Sequence, residues 1–154
     1  MPLSHVDFNA LSETDLQRLI DNGVPEGPRI EYKRDFVGLR DDDKKEFLKD
    51  ISAFANASGG YILYGVAEKD GIPIPPLLGL SSTESSSGIA RLENIVRDSL
   101  EPRIVGLTMR PVPLRNGNSV VAVRVPRSWN PPHRVSFQKW NKFFTRNSNA
   151  CLSG

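Results

Sequence analysis

Nine lysines and arginines stand in residues 102–154 without a single carboxylate beside them. Arg124, Arg127, Arg134, Lys139, Lys142 and Arg146 cluster there, interleaved with Trp129, Phe137, Trp140, Phe143 and Phe144. Each cation can neutralise a phosphate and release its counterions, and an exposed aromatic ring can stack on a base. The segment therefore suits a polyanion. The competing use of these cations is pairing with residues 1–101, which hold all eighteen acids against eleven Lys/Arg. Phe143 and Phe144 are neighbours on an expected strand and point to opposite faces, so at most one is exposed. Trp129, in a proline-rich loop, is the better stacking candidate. His133 has only His5 as a fellow histidine. It reads as a loop residue or a phosphate contact beside Arg134, not as a metal ligand or general base. No element has the look of a major-groove recognition helix, so little base-specific readout is expected.

Composition narrows the other chemistries. A chain of 154 residues, 38% hydrophobic and 25% charged, is one domain's worth of globular protein. No apolar run approaches the roughly 20 residues that cross a bilayer. The first residues lack a basic-then-apolar leader, so a cytoplasmic location is expected and no membrane partner. One cysteine, Cys151, excludes an internal disulfide and a cysteine-based zinc site. The phosphate-binding pattern Gly-x-x-x-x-Gly-Lys-Ser/Thr is absent. Ala57-Ser58-Gly59-Gly60 follows a helix instead of opening one, which argues against ATP hydrolysis.

The elements that must position these residues are centred on Ile51–Val66. Phe47, Leu48, Ile51, Phe54 and Ala55 recur at helical spacing. Gly59 stops the helix in a left-handed conformation, and Tyr61–Tyr64 with Val66 form an apolar run, the pattern of a strand covered on both faces. Asn56, in the last turn, can hold backbone or point into a cleft. Before this unit, Phe8–Asn22 reads as a helix with Ser12 as N-cap and Asp15 as its capping partner. Arg29–Phe36 reads as a strand with Ile30 and Tyr32 on one face and Glu31 and Lys33 on the other. Asp43 and Glu46 have capping-box spacing for the second helix, whose positive end three aspartates favour.

After the unit, the prolines of Ile72–Leu78 exclude a central strand. Ser81–Gly88 reads as a mobile or ligand-binding serine-rich loop, and Ile89–Leu100 as a third helix stopped at Glu101-Pro102. Arg103–Pro113 and Asn118–Pro126 read as a hairpin, with Asn116-Gly117 a type I′ turn signal. Arg127–Val135 reads as a loop, and Lys142–Arg146 as a closing strand. The expected fold class is α+β: one mixed sheet with packed helices, in the order α-β-α-β-α-β-β-β. The expected layout is a single domain over 1–154, with an N-terminal helix at 8–22, a core at 29–126 and a basic closing segment at 127–150. The end of the chain soon after the last strand gives the expectation of one module from a longer protein.

Several of these residues together resemble the Schlafen AlbA-type domain, also called the divergent AAA or AlbA-like DNA-binding domain. They are Glu26 with Glu31-Tyr32-Lys33, Ala53-Phe54-Ala55-Asn56-Ala57-Ser58-Gly59-Gly60, Leu63-Tyr64-Gly65-Val66, Gly79-Leu80, and the close Phe143-Phe144-Thr145-Arg146-Asn147-Ser148. The similarity runs from about residue 12 to 150. It implies an AlbA-like fold that binds DNA or RNA, in bacteria as part of transcriptional-regulator-like proteins. For some animal members it implies an endoribonuclease that uses three carboxylates. Glu26 and Glu31 correspond to two of them, and Glu68 is the candidate third, since Ala67 stands where an acid is common. With Mg²⁺ or Mn²⁺ these three would be the metal ligands, and Lys33 would orient a water or the scissile phosphate. Binding through Arg124, Arg127, Trp129, His133, Arg134, Lys139, Lys142 and Arg146 is the first reading, and metal-dependent cleavage by the acids the second. Apart from the resemblance, a structural or dimerisation module, with a homodimer as partner, is the third reading.

Overall fold

A computed structural model describes residue 3, residues 6–146 and residues 151–153. In chain order the elements are α1 (Glu13–Asp21), β1 (Ile30–Lys33), α2 (Asp41–Asn56), β2 (Gly60–Tyr64), β3 (Glu68–Lys69), β4 (Ile72–Pro73), α3 (Ser82–Ser99), β5 (Leu100–Glu101), β6 (Thr108–Pro113), β7 (Ser119–Val125), β8 (Arg134–Phe137), β9 (Trp140–Arg146) and β10 (Cys151–Ser153). The class is α+β, as the hydrophobic pattern predicts. The main sheet is mixed, with order β1-β2-β7-β6: β1 and β2 are parallel and the other pairs antiparallel. A second, antiparallel sheet has order β10-β9-β8-β5, and β3 and β4 form a small ribbon. Among the described residues, no helix is long and apolar enough to cross a membrane.

The main sheet is covered on both faces, and the strand pattern shows how. Tyr61 and Leu63 of β2, with Ile30 and Tyr32 of β1 and Val120 and Ala122 of β7, pack against Leu16, Leu19 and Ile20 of α1. Ile62 and Tyr64, with Val121, Val123 and Val125, face α2 and α3. Helix α2 lies between the two sheets. Phe47, Leu48 and every residue from Ile51 to Ala55 are buried, because Val135 of β8 and Phe144 of β9 close over the side the main sheet leaves open. Burying a side chain such as Phe54 stabilises the fold by about 1.5–3 kcal/mol.

Local chemistry sets the element ends. The Asp15 carboxylate accepts from the Ser12 backbone N–H at 3.0 Å, closing the expected cap of α1. That helix is shorter than expected, and Phe8–Ala10 is a separate 3-10 turn. In α2, Asp43 is the third helical residue and accepts from the Arg40 N–H at 3.3 Å, so Arg40 and not Asp43 is the N-cap. Gly59 takes φ +72° and its N–H reaches the Phe54 carbonyl at 2.8 Å, the expected stop. A side chain there would collide with the backbone of Val125 and Arg127, within 2.7 Å.

Four local expectations are corrected. Ser82–Gly88 is not a loop but the opening of α3, with the Ser81 hydroxyl accepting from the Glu84 N–H. Helix-end capping and the burial of Ser85 and Gly88 override weak serine propensity. At Asn116-Gly117 only Gly117 has positive φ, and Leu114 O accepts from the Gly117 N–H, so the turn is not type I′. Paired positive φ occurs instead at Gln138 and Lys139, between β8 and β9. Finally, Arg134–Phe137 is a strand, and the closing strand begins at Trp140. These strands join the second sheet and leave the main one at four strands. Asn147 and Ser148 of the closing motif, and His5, lie outside the described residues.

Candidate nucleic-acid interface

Strand β1 carries Glu31 and Lys33 on the face turned toward α2, opposite Ile30 and Tyr32. Lys33 Nζ lies 3.4 Å from Asp50 Oδ2, 3.7 Å from Glu46 and 3.9 Å from Glu31. Asp50 is 3% exposed, and its Oδ2, like Glu31 Oε2, makes no hydrogen bond. The contact with Lys33 is therefore an ion pair too long and poorly aimed to be a strong hydrogen bond. Burial, and then the charge of Glu31, push the Asp50 carboxyl up to about 7 against the pull of Lys33. Burial works against the charge of Lys33, yet Asp50, Glu31 and Glu46 outweigh it and raise the Lys33 pKa. Asp50 and Glu46 were not among the sequence candidates. The signal was there: Asp50 sits three residues after Phe47 and four before Phe54, on the apolar stripe of α2.

The other end of Glu31 meets Arg146. Arg146 Nη1 is 3.4 Å from Glu31 Oε1, its Nε and Nη2 donate to Gly27 O at 3.2 and 2.9 Å, and its guanidinium lies 4.4 Å from the Phe54 ring centre. At 6% exposed it is withdrawn from solvent and from any phosphate, which corrects the expectation of an interface residue. It shares strand parity with buried Phe144, so it faces α2. Glu26 Oε2 accepts from the Tyr32 N–H at 2.9 Å, and Glu68 Oε2 from the Gly71 N–H at 2.7 Å. Burial, with Glu31 and Glu68 nearby, raises the Glu26 pKa.

Asn56 resolves in favour of holding backbone. Its amide donates to His133 O at 3.0 Å and Phe144 O at 2.8 Å, and its oxygen accepts from the His133 N–H at 2.6 Å. His133 is 1% exposed. Its Nδ1 meets Pro102 O and its Nε2 the Ser128 hydroxyl. A carbonyl only accepts, so Nδ1 carries the hydrogen, and in the neutral ring Nε2 accepts from Ser128. His133 is thus a buried strut of the loop, not a phosphate contact. Ser128 N–H also donates to Ala55 O at 3.0 Å. The loop from Pro126 to His133 is pinned at both ends, and it holds up Trp129, which is 101% exposed.

Three cations of the acid-free segment have acidic partners: Arg115 with Glu13 at 3.8 Å, Arg134 with Glu101 at 2.8 Å, and Arg146 with Glu31. Arg110 donates to Phe8 O and Leu11 O. Arg103, Arg124, Arg127, Lys139 and Lys142 are exposed and have no acidic partner among the described residues. Arg103 was not singled out from the sequence. Phe143 is 41% exposed and Phe144 buried, the division that strand alternation requires.

The family model described as Schlafen, AlbA_2 matches residues 26–153. The chain belongs to that Schlafen family. A solved structure of the N-terminal domain of a "Putative ATP-dependent DNA Helicase RecG-related Protein" from Nitrosomonas europaea is 25% identical, with a TM-score of 0.56 over 79% of this chain and 84% of that one. The DIP2311 protein from Corynebacterium diphtheriae is 13% identical with a TM-score of 0.56, and shares the fold over 90% of this chain; the chain spans 29% of that protein's length. No curated protein matches.

For this Schlafen-family chain the fit of a divalent ion can be tested on the acids. Glu31 and Glu68 each lie near enough to Glu26 to repel it, but one oxygen of each acid is engaged by Tyr32, Arg146 or Gly71. Among the described residues, no three His, Cys, Asp or Glu side chains are arranged to share an ion. The arrangement does not fit a three-carboxylate metal centre. The Gly59-Gly60 pair offers no phosphate cradle either, because the backbone of Val125–Arg127, the Arg29 carbonyl and the Phe54 ring fill the space in front of it.

Proposed function

We propose that this Schlafen-family domain binds nucleic acid through the exposed cations of its C-terminal half. One observation carries the reading: Arg103, Arg124, Arg127, Lys139 and Lys142 stay exposed and without acidic partners among the described residues, and the rings of Trp129 and Phe143 in the same half of the chain are exposed too. The cations of this segment that serve the fold are held by an acid or by backbone carbonyls, as Arg115, Arg134, Arg146 and Arg110 are. The family and a neighbour from a helicase-related protein support the same partner class. Free cations supply backbone affinity without base readout, so DNA and RNA both fall within the proposal.

The test is a salt titration of binding to labelled DNA and RNA by fluorescence anisotropy, with Mg²⁺ and with EDTA. Affinity should fall linearly on a log–log plot, and strands should remain intact in both. The double variant Arg127→Glu, Lys142→Glu should lower affinity at least tenfold and make the slope shallower by about 2. Binding indifferent to salt, or unaltered in the double variant, would remove the proposal. Shortened strands only with Mg²⁺ would restore the acids to a catalytic role.

A further inference from the structure

The outward face of the second sheet is a candidate for more than charge. Strand parity turns Phe144 and Arg146 toward α2 and leaves Asn141, Phe143 and Thr145 on the other side of β9. Arg134 lies directly opposite Phe143 on β8, so the two side chains share that face. Beside Phe143 opens a pocket of about 340 Å³, lined by Asn56, Pro131, Pro132, Phe143, Phe144 and Thr145. No charged group is in that lining. The Asn56 amide is spent on the loop, so the pocket walls are chiefly two proline rings and an aromatic face. Exposed Arg127 and Trp129 belong to the loop that supplies the two prolines, and Arg134 shares the face of Phe143, whereas Lys142 has the opposite strand parity.

We infer that this pocket receives an unpaired base, and hence that the domain prefers single-stranded nucleic acid to duplex. The inference rests on the nucleic-acid reading above and names its substrate class. A base offers a flat apolar face beside charged phosphates, and the pocket offers an apolar wall beside the Arg134 cation on the face of Phe143. Paired bases keep their faces inside the stack, so a duplex can meet the cations but cannot fill the pocket. The pocket is preorganised, because Asn56 and His133 fix the loop that makes one wall, and little ordering is left to oppose binding. Arg134 can leave Glu101 for a phosphate at small cost, since that pair is solvent-exposed.

The experiment compares oligothymidylate, oligouridylate and a DNA duplex of equal length by anisotropy, using the whole chain. Single strands should bind about tenfold more tightly than duplex. Phe143→Ala should lose about tenfold on single strands only, with the salt slope unchanged, and Phe143→Tyr should retain the preference. Thr145→Trp keeps Phe143 and fills the pocket from an exposed position; it too should abolish the preference. Equal affinity for strand and duplex, or an equal loss on both with Phe143→Ala, overturns the base pocket and leaves the cation reading standing. Absence of any salt-dependent binding overturns both.

Discussion

Arg146 and Glu31 show how a charged pair at a domain's centre serves the fold. The guanidinium is held by a carboxylate, a backbone carbonyl and the face of Phe54, so each polar direction is answered inside the protein. Removing Glu31 leaves a buried cation with its Gly27 bonds and the Phe54 ring but without its counter-charge. Glu31→Ala should therefore destabilise the chain by about 1–3 kcal/mol in urea unfolding, and Arg146→Lys should do no better than Arg146→Ala. An ammonium cannot reproduce both the fork to Gly27 and the stack on Phe54. If Glu31→Ala unfolds at the parent's midpoint, the pair is energetically idle.

Asp50 is the second residue whose environment has a measurable consequence. Glu31, Lys33, Glu46, Lys49 and Tyr64 act on or are acted on by it electrostatically. Its carboxyl is raised from 3.8 to about 7, so the folded state holds a proton that the unfolded chain has released. Stability from this group is complete below about pH 4 and is lost as pH rises toward 7. Burial and neighbouring acids raise Glu26 as well, with the same sign. Asp50→Asn, which cannot ionise, should flatten the fall in melting temperature between about pH 4 and 7, the range of this titration. Identical slopes in parent and variant would show that Asp50 does not carry it.

At the level of elements, the join between α2 and the second sheet matters most to the interface. Asn56 makes three hydrogen bonds to strand and loop backbone that no other side chain replaces. Asn56→Ala leaves buried groups of His133 and Phe144 unanswered. It should destabilise by about 1–3 kcal/mol and weaken nucleic-acid binding beyond what lost charge explains, because Trp129 and the proline wall lose their support. Thermal melts and anisotropy on the same sample separate the two effects. Unaltered binding by a destabilised variant would mean that the loop's fixed shape is irrelevant to the ligand.

For the whole molecule, the division of charge along the chain becomes a division of tasks. The acids of residues 1–101 cap α1 and α2 through Asp15 and Asp43, and ring Lys33. Among the described residues they pair with just Arg115, Arg134 and Arg146 of the basic segment. Arg110 is held by the Phe8 and Leu11 carbonyls, and the remaining five cations have no acidic partner among the described residues; these are the ones the proposed binding would use.

The sequence by itself determined the α+β class, the helix–glycine–strand core, the caps of Ser12 and Asp15, the outward Trp129 and the opposed fates of Phe143 and Phe144. These depend on residue spacing and on glycine stereochemistry, which act over a few residues. It also held the free cations, though not which of them were free. Only the tertiary structure decided that Arg146 and His133 turn inward, that Asp50 meets Lys33, and that the last strands make a second sheet over α2. Each of these depends on a partner far along the chain: Glu31 for Arg146, Asn56 for His133, β1 for Asp50. Local patterns carry no record of such distances, because a charged side chain reads alike on the surface and in the core until its counter-group is placed beside it.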